Sequence, residues 1–208
     1  MSSRRQMLEF ISLSRLPSAY QEVEYIESTG TQWINTYFAP TNQTILKINI
    51  SITSSSTAGS IGTLDDDGSN RFMFLYNTTN QLRGYIGNSG WIDSSISYQL
   101  DTFYSIELNV IDATFVVNGS VAQGIYTSTI DGLQNIYLFA RNQEGSVLSL
   151  CNCKISKCQI YDNNILVRDF VPCYRKADSV IGLYDLVNGV FYTNAGTGTF
   201  TKGADVWQ

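Results

Sequence analysis

Apolar and polar residues alternate with a period of two along most of this chain. The run ILKINISIT places Ile48, Ile50 and Ile52 on one side, and FYSIELNVI does the same with Ile106, Leu108 and Val110. That period belongs to an extended strand with one buried face. RFMFLYN and LRGYIGN, joined by the polar TTNQ, predict a hairpin. TFVVNG turns at Asn118-Gly119, and GLYDLV meets VFYTN across Asn188-Gly189. Asn-Gly between β-formers is the strongest short signal for a type I′ hairpin. In the second of these, Val187 is expected opposite Val190, and Leu186 opposite Phe191. Pro172 is expected to break the chain between ILVRDF and GLYDLV, since proline lacks a ladder donor. EVEYIE and QWINTYF predict two strands about a Thr29-Gly30 turn. In the second, Trp33, Asn35 and Tyr37 point one way and Ile34, Thr36 and Phe38 the other. Trp91 to Ile96 reads as short and irregular.

Short alternating runs with a turn signal every ten residues or so predict an all-β fold, an antiparallel β-sandwich. No long amphipathic helix is expected after Leu16. Residues 1–15 read as an N-terminal extension, with Met7, Phe10, Ile11 and Ser14 on one side of a short helix, as in a docking peptide for another protein. Residues 16–208 then form one domain. A chain of this size buries roughly 70% of its unfolded surface and needs no covalent staples.

Composition narrows the function. Thirteen Lys and Arg against 18 Asp and Glu give a net charge of −5. This argues against a nucleic-acid partner, which calls for a basic stripe. The start, MSSRRQMLEFISLSRL, has no uninterrupted apolar core of a signal peptide and is too short to span a membrane. Cys151, Cys153, Cys158 and Cys173 do not have zinc-finger spacing, and the chain has no histidine. Buried free thiols are the default expectation, with a Cys158–Cys173 bridge as the alternative.

The words VRDFVPCYRK, GLYDLVNGVFYTNAGTGTF and LPSAYQEVEYIESTGTQWINT resemble a family of small proteins from bacteriophages and prophages of gut Firmicutes, over roughly Leu16 to Lys202. The resemblance implies a concanavalin A-like or laminin-G-like jelly roll and a virion structural or host-surface-binding role. It names no ligand. The expected location is the virion, assembled in the host cytoplasm and exposed after lysis.

Four groups of residues are candidates for chemistry. Arg83, Tyr85, Asn88, Trp91 and Asp93, in and around LRGYIGNSGWID, combine rings for stacking on sugar CH faces with groups that bond hydroxyls; Tyr98 and Trp33 are further candidate platforms. Asp65, Asp66 and Asp67 before Gly68 are a candidate calcium loop, calcium being a hard cation that takes clustered oxygens. Among Glu22, Glu24 and Glu27, the first two share a strand face, and laminarinase-type glucanases carry alternating acids on one strand, where a retaining mechanism needs two carboxyl groups about 5–5.5 Å apart. Arg168 and Asp169, with Arg175 and Asp185, read as a structural ion-pair set.

The leading expectation is a non-enzymatic virion protein, a tail or head fibre or decoration module, that binds host-surface or mucosal glycans and contacts other virion proteins through its extension, as a monomer or homo-oligomer. The alternatives are a purely architectural decoration protein and a laminarinase-type glycan hydrolase.

Overall fold

The computed structural model describes residues 15–88, 90–125, 129–130 and 132–206. Apart from Arg15, the residues of the 1–15 docking reading lie outside them. The chain opens with β1 (Tyr20–Glu22), β2 (Ile26–Thr29), β3 (Ile34–Asn35) and β4 (Thr44–Ile52). A meander follows: β5 (Gly59–Leu64), β6 (Arg71–Tyr76), β7 (Gln81–Ile86) and β8 (Ile92–Ser97). Next come β9 (Phe103–Asn109), β10 (Thr114–Val117), β11 (Ser120–Gln123), β12 (Tyr137–Leu138), β13 (Arg141–Gln143) and β14 (Ser146–Leu148). The chain closes with β15 (Asn152–Asp162), β16 (Ile165–Arg175), β17 (Ile181–Asp185), β18 (Val190–Thr193) and β19 (Thr201–Lys202).

Among the described residues these strands form two sheets. The longer sheet runs β11-β10-β9-β4-β15-β16-β17-β18, with β1 beside β16, β2 beside β15 and β19 beside β2. The shorter runs β14-β13-β5-β6-β7-β8, with β12 beside β5 and β3 beside β12. Pairing is antiparallel except between β5 and β13, which run parallel. No helix among the described residues is long and apolar enough to cross a membrane.

The core lies between the sheets, where the alternation placed it. Ile48, Ile50 and Ile52 of β4 and Ile106 and Leu108 of β9 are buried from one side, with Val110 beyond β9; Phe72, Phe74 and Tyr76 of β6 are buried from the other. Each such side chain contributes about 1.5–3 kcal/mol relative to exposure. The sheets approach closely at Gly84 of β7. A Cβ there would lie 2.7 Å from the Phe115 ring of β10.

Two hairpins are as the sequence reads. β6 and β7 pair around Asn77–Asn80. Val117 pairs with Ser120, and Asn118 and Gly119 take φ of 49° and 82°, the two positive values of a type I′ turn.

Elsewhere a local signal is overruled by a competing partner. Asn188-Gly189 is not a two-residue turn: the last pair is Asp185 with Val190, so Leu186 to Gly189 form a four-residue loop. The Asp185 carboxylate takes it over, accepting from the Val187 amide at 3.1 Å and from Asn188 Nδ2 at 2.6 Å. Pro172 does not end a strand but lies inside β16, between the segment paired to β15 and the segment paired to β1. Its carbonyl accepts the Val23 amide at 3.0 Å. In a strand the N–H and C=O of one residue face the same edge, so the missing donor falls at this change of neighbour. The segment from Trp91 is not irregular, because Ile92–Ser97 is β8, paired to β7. Nor do β2 and β3 form a hairpin. They belong to different sheets, and the chain crosses between them at Gly30, at φ 95°.

The cysteines are four buried free thiols. Cys158 packs in the core between the sheets, whereas Cys173 packs with Leu16, Val171 and Tyr184 in a separate cluster, so the two do not bridge. Burial pushes both thiols up, Cys173 to about 12.

Candidate functional site

Directly opposed residues in a sheet share a face. On the outer face of the shorter sheet one row reads Arg141, Gly62, Met73, Tyr85 across β13, β5, β6 and β7. The next reads Leu75, Arg83, Asp93 across β6, β7 and β8, and Leu64 pairs with Arg71 beside them. Leu64, Met73 and Tyr85 are buried as an apolar floor, with Leu75 against them. Arginine stems lie over this floor, as amphipathic side chains do. The Arg71 guanidinium sits 5.0 Å from the centre of the Tyr85 ring. Together Leu64, Gly68, Arg71, Met73, Tyr85 and Arg141 line an open depression of about 230 Å³.

One end of the face is aromatic. Trp91 is 61% exposed, and the Arg83 guanidinium covers one side of its ring at 4.0 Å. Arg83 is held in turn by Gln81 Oε1 at 2.8 Å and by Asp93 at 3.7 Å. The β7–β8 hairpin thus fixes a cation and a ring side by side, with Asn88 exposed in its loop.

Other candidates fall elsewhere. Tyr98 is a core residue: its hydroxyl donates to the Asn77 carbonyl at 2.7 Å and its ring meets Tyr76 edge-on. It was drawn inward because Asn77 offers a partner for the hydroxyl that a buried tyrosine needs. Trp33 is half-buried, 4.3 Å from Tyr137, beside β3 at the edge of the sheet opposite β8. It does not join the Trp91 end.

The Asp65–Gly68 turn borders the depression. The Asp65 carboxylate accepts from Ser69 Oγ at 3.0 Å and from the Asn70 amide at 3.0 Å. Asp67 accepts the Ser69 amide at 2.8 Å, and its bonds to Ser69 hold it below the ordinary carboxylate value. These carboxylates are engaged with their own loop. No group of three or more acidic or cysteine side chains converges as a metal cage among the described residues. The three glutamates also have separate partners. Glu22 is buried against the Arg15 guanidinium, Glu24 accepts the Ala204 amide at 3.1 Å, and Glu27 accepts Thr201 Oγ1 at 3.2 Å. They do not form a facing acid pair.

A wider hollow of about 480 Å³ lies between Asp178–Ile181 and Thr193–Phe200. The Asn194 amide on its wall is turned to its own loop: it donates to the Gly198 carbonyl and accepts the Gly196 amide, at 3.0 and 2.8 Å. The expected ion-pair set is divided. Arg168 meets Asp185, but Arg175 pairs with Asp178, and Asp169 accepts from Gln159.

Sequence reading missed Arg71 and Arg141. They come from strands seventy residues apart, joined only by the β6-β5-β13 pairing. No local pattern signals that meeting.

No protein-family model and no curated protein matches this chain. Solved structures do. A candidate carbohydrate-binding protein from Bacteroides ovatus aligns with a TM-score of 0.62 at 11% identity, over 89% of this chain and 62% of that one. The chain therefore spans less than two thirds of that protein's length. The CBM40 of a Ruminococcus gnavus IT-sialidase aligns with a TM-score of 0.50 at 14% identity, over 68% of this chain and 90% of that one. The fold is a concanavalin A-like jelly-roll sandwich. Identity this low establishes the fold and leaves function to the site.

Proposed function

We propose that this chain is a non-catalytic glycan-binding module whose recognition surface is the outer face of the shorter sheet. The observation that carries the reading is the pairing of a solvent-facing indole with a fixed guanidinium on the sheet face that also carries an open depression with an apolar floor. Sugars offer apolar CH faces for the ring and hydroxyls for the cation. The two structural neighbours, one named as a candidate carbohydrate-binding protein and the other as a CBM40, support the same class. The sequence resemblance to phage proteins supports display on a virion, where several copies raise weak affinity through effective concentration.

The test is a glycan-array screen of the purified chain, followed by calorimetry of Trp91→Ala with the best hit. An aromatic face contributes about 0.5–1.5 kcal/mol, so affinity is expected to fall about 3- to 10-fold. The melting temperature should hold, since exposed substitutions change stability by about 0.5 kcal/mol or less. Unaltered affinity would remove this face from the account.

A further inference from the structure

The six described arginines divide into two sets. Arg15, Arg83, Arg168 and Arg175 each meet a carboxylate: Glu22, Asp93, Asp185 and Asp178. Arg71 and Arg141 form no ion pair among the described residues, and they are neighbours lining one depression. Arg71 donates Nε to the Gly68 carbonyl, while Arg141 Nε, like Arg83 Nε, is buried with no hydrogen-bond partner among the described residues. Burial, then the charge of Arg71, lowers the Arg141 pKa from its usual value. In an acidic chain, two adjacent guanidinium groups with no carboxylate in direct contact are an unfavourable arrangement for folding alone, although Asp67 on the bordering turn feels the charge of Arg71. A buried donor left unmet costs about 1–3 kcal/mol.

We infer that Arg71 and Arg141 receive the carboxylate of an acidic sugar, with the residue's apolar face against Met73 and Leu75. This deepens the glycan-binding reading and rests on it. Guanidinium forks match planar carboxylates and accept them through paired N–H groups. The bound anion would lie between the two cations and offset their mutual repulsion. Asp66 and Asp67 on the bordering turn leave net charge near the site modest, so the preference arises from the fork rather than from a broad positive field.

Matched oligosaccharide pairs test this on the full chain. Calorimetry or ligand-observed NMR would compare sialyllactose with lactose, and a galacturonate trimer with its carboxyl-reduced form. The acidic member of at least one pair should bind about tenfold tighter. Arg141→Gln should remove that preference, so that the acidic and neutral members of the pair bind within about twofold of each other. Arg71→Gln serves as the second variant should the first misfold. Neutral and acidic members bound equally, or a preference that survives both variants, would overturn the inference and leave the glycan reading standing. Binding of no sugar in either pair or on the array would overturn both.

Discussion

Asp185→Ala is expected to cost about 3–5 kcal/mol, the range for removing one partner of a buried ion pair. The carboxylate is fully buried and meets Arg168 Nε at 3.7 Å. It also accepts the Asp169 and Val187 amides at 2.9 and 3.1 Å and Asn188 Nδ2 at 2.6 Å. Alanine leaves all these donors facing a hole. The loss spreads beyond the β17–β18 loop, because Arg168 also donates to the Thr36 and Tyr37 carbonyls at 3.2 and 3.1 Å. Those residues follow β3 in the shorter sheet, so the cation couples the two layers. For a chain of this size, about 2–4 °C per kcal/mol implies a melting temperature lowered by roughly 10 °C. Glycan affinity measured well below that temperature should be unchanged. A shift under about 2 °C would mean that water replaces the carboxylate and that the pair ties nothing together.

Gly62→Ala is expected to damage stability and binding together. Gly62 has φ of 134°, a conformation L side chains rarely adopt. A Cβ would fall 2.2 Å from the Phe72 carbonyl oxygen and 2.6 Å from the Met73 Cα, both backbone atoms of the paired strand. Neither can turn aside as a side-chain tip would. Backbone strain and overpacking each cost about 1–3 kcal/mol, so denaturant titration should show a loss of about 2–5 kcal/mol. Gly62 also stands between Arg141 and Met73 in the same row, and displacing β5 from β6 moves the walls of the depression apart. Calorimetry with the best sugar should therefore show a loss of affinity that Asp185→Ala lacks. Wild-type stability in Gly62→Ala would show that β5 yields locally.

The strands whose sides the sequence sets by alternation are where it puts them, because burial of one face overrides most other preferences. Ile48, Ile50 and Ile52, and Ile106, Leu108 and Val110, needed no partner to be placed. The failures lie where a second partner competes with the local signal. Asn188-Gly189 has the local chemistry of a two-residue turn, yet the Asp185 carboxylate offers its amides a better set of bonds. Pro172 looks like a breaker until β1 arrives beside β16 to meet its carbonyl. Half of the proposed face can be grouped from the sequence for the same reason. Arg83, Asn88, Trp91 and Asp93 lie on or beside one hairpin and meet through it. Tyr98 belonged to the core, and Trp33 to the far edge of the sheet. Arg71 and Arg141 meet only after a parallel pairing that nothing local encodes.

The central claim is that sugars bind on the outer face of the shorter sheet. It is tested most directly by titrating uniformly ¹⁵N-labelled protein with its best oligosaccharide and mapping the amide shifts. Shifts concentrated on Arg71 to Leu75, Arg83 to Tyr85, Trp91 to Asp93 and Arg141 are the predicted result. Shifts concentrated around Lys47, Asn49, Lys157 and Gln159 on the longer sheet, or along Thr193 to Thr199, would contradict it.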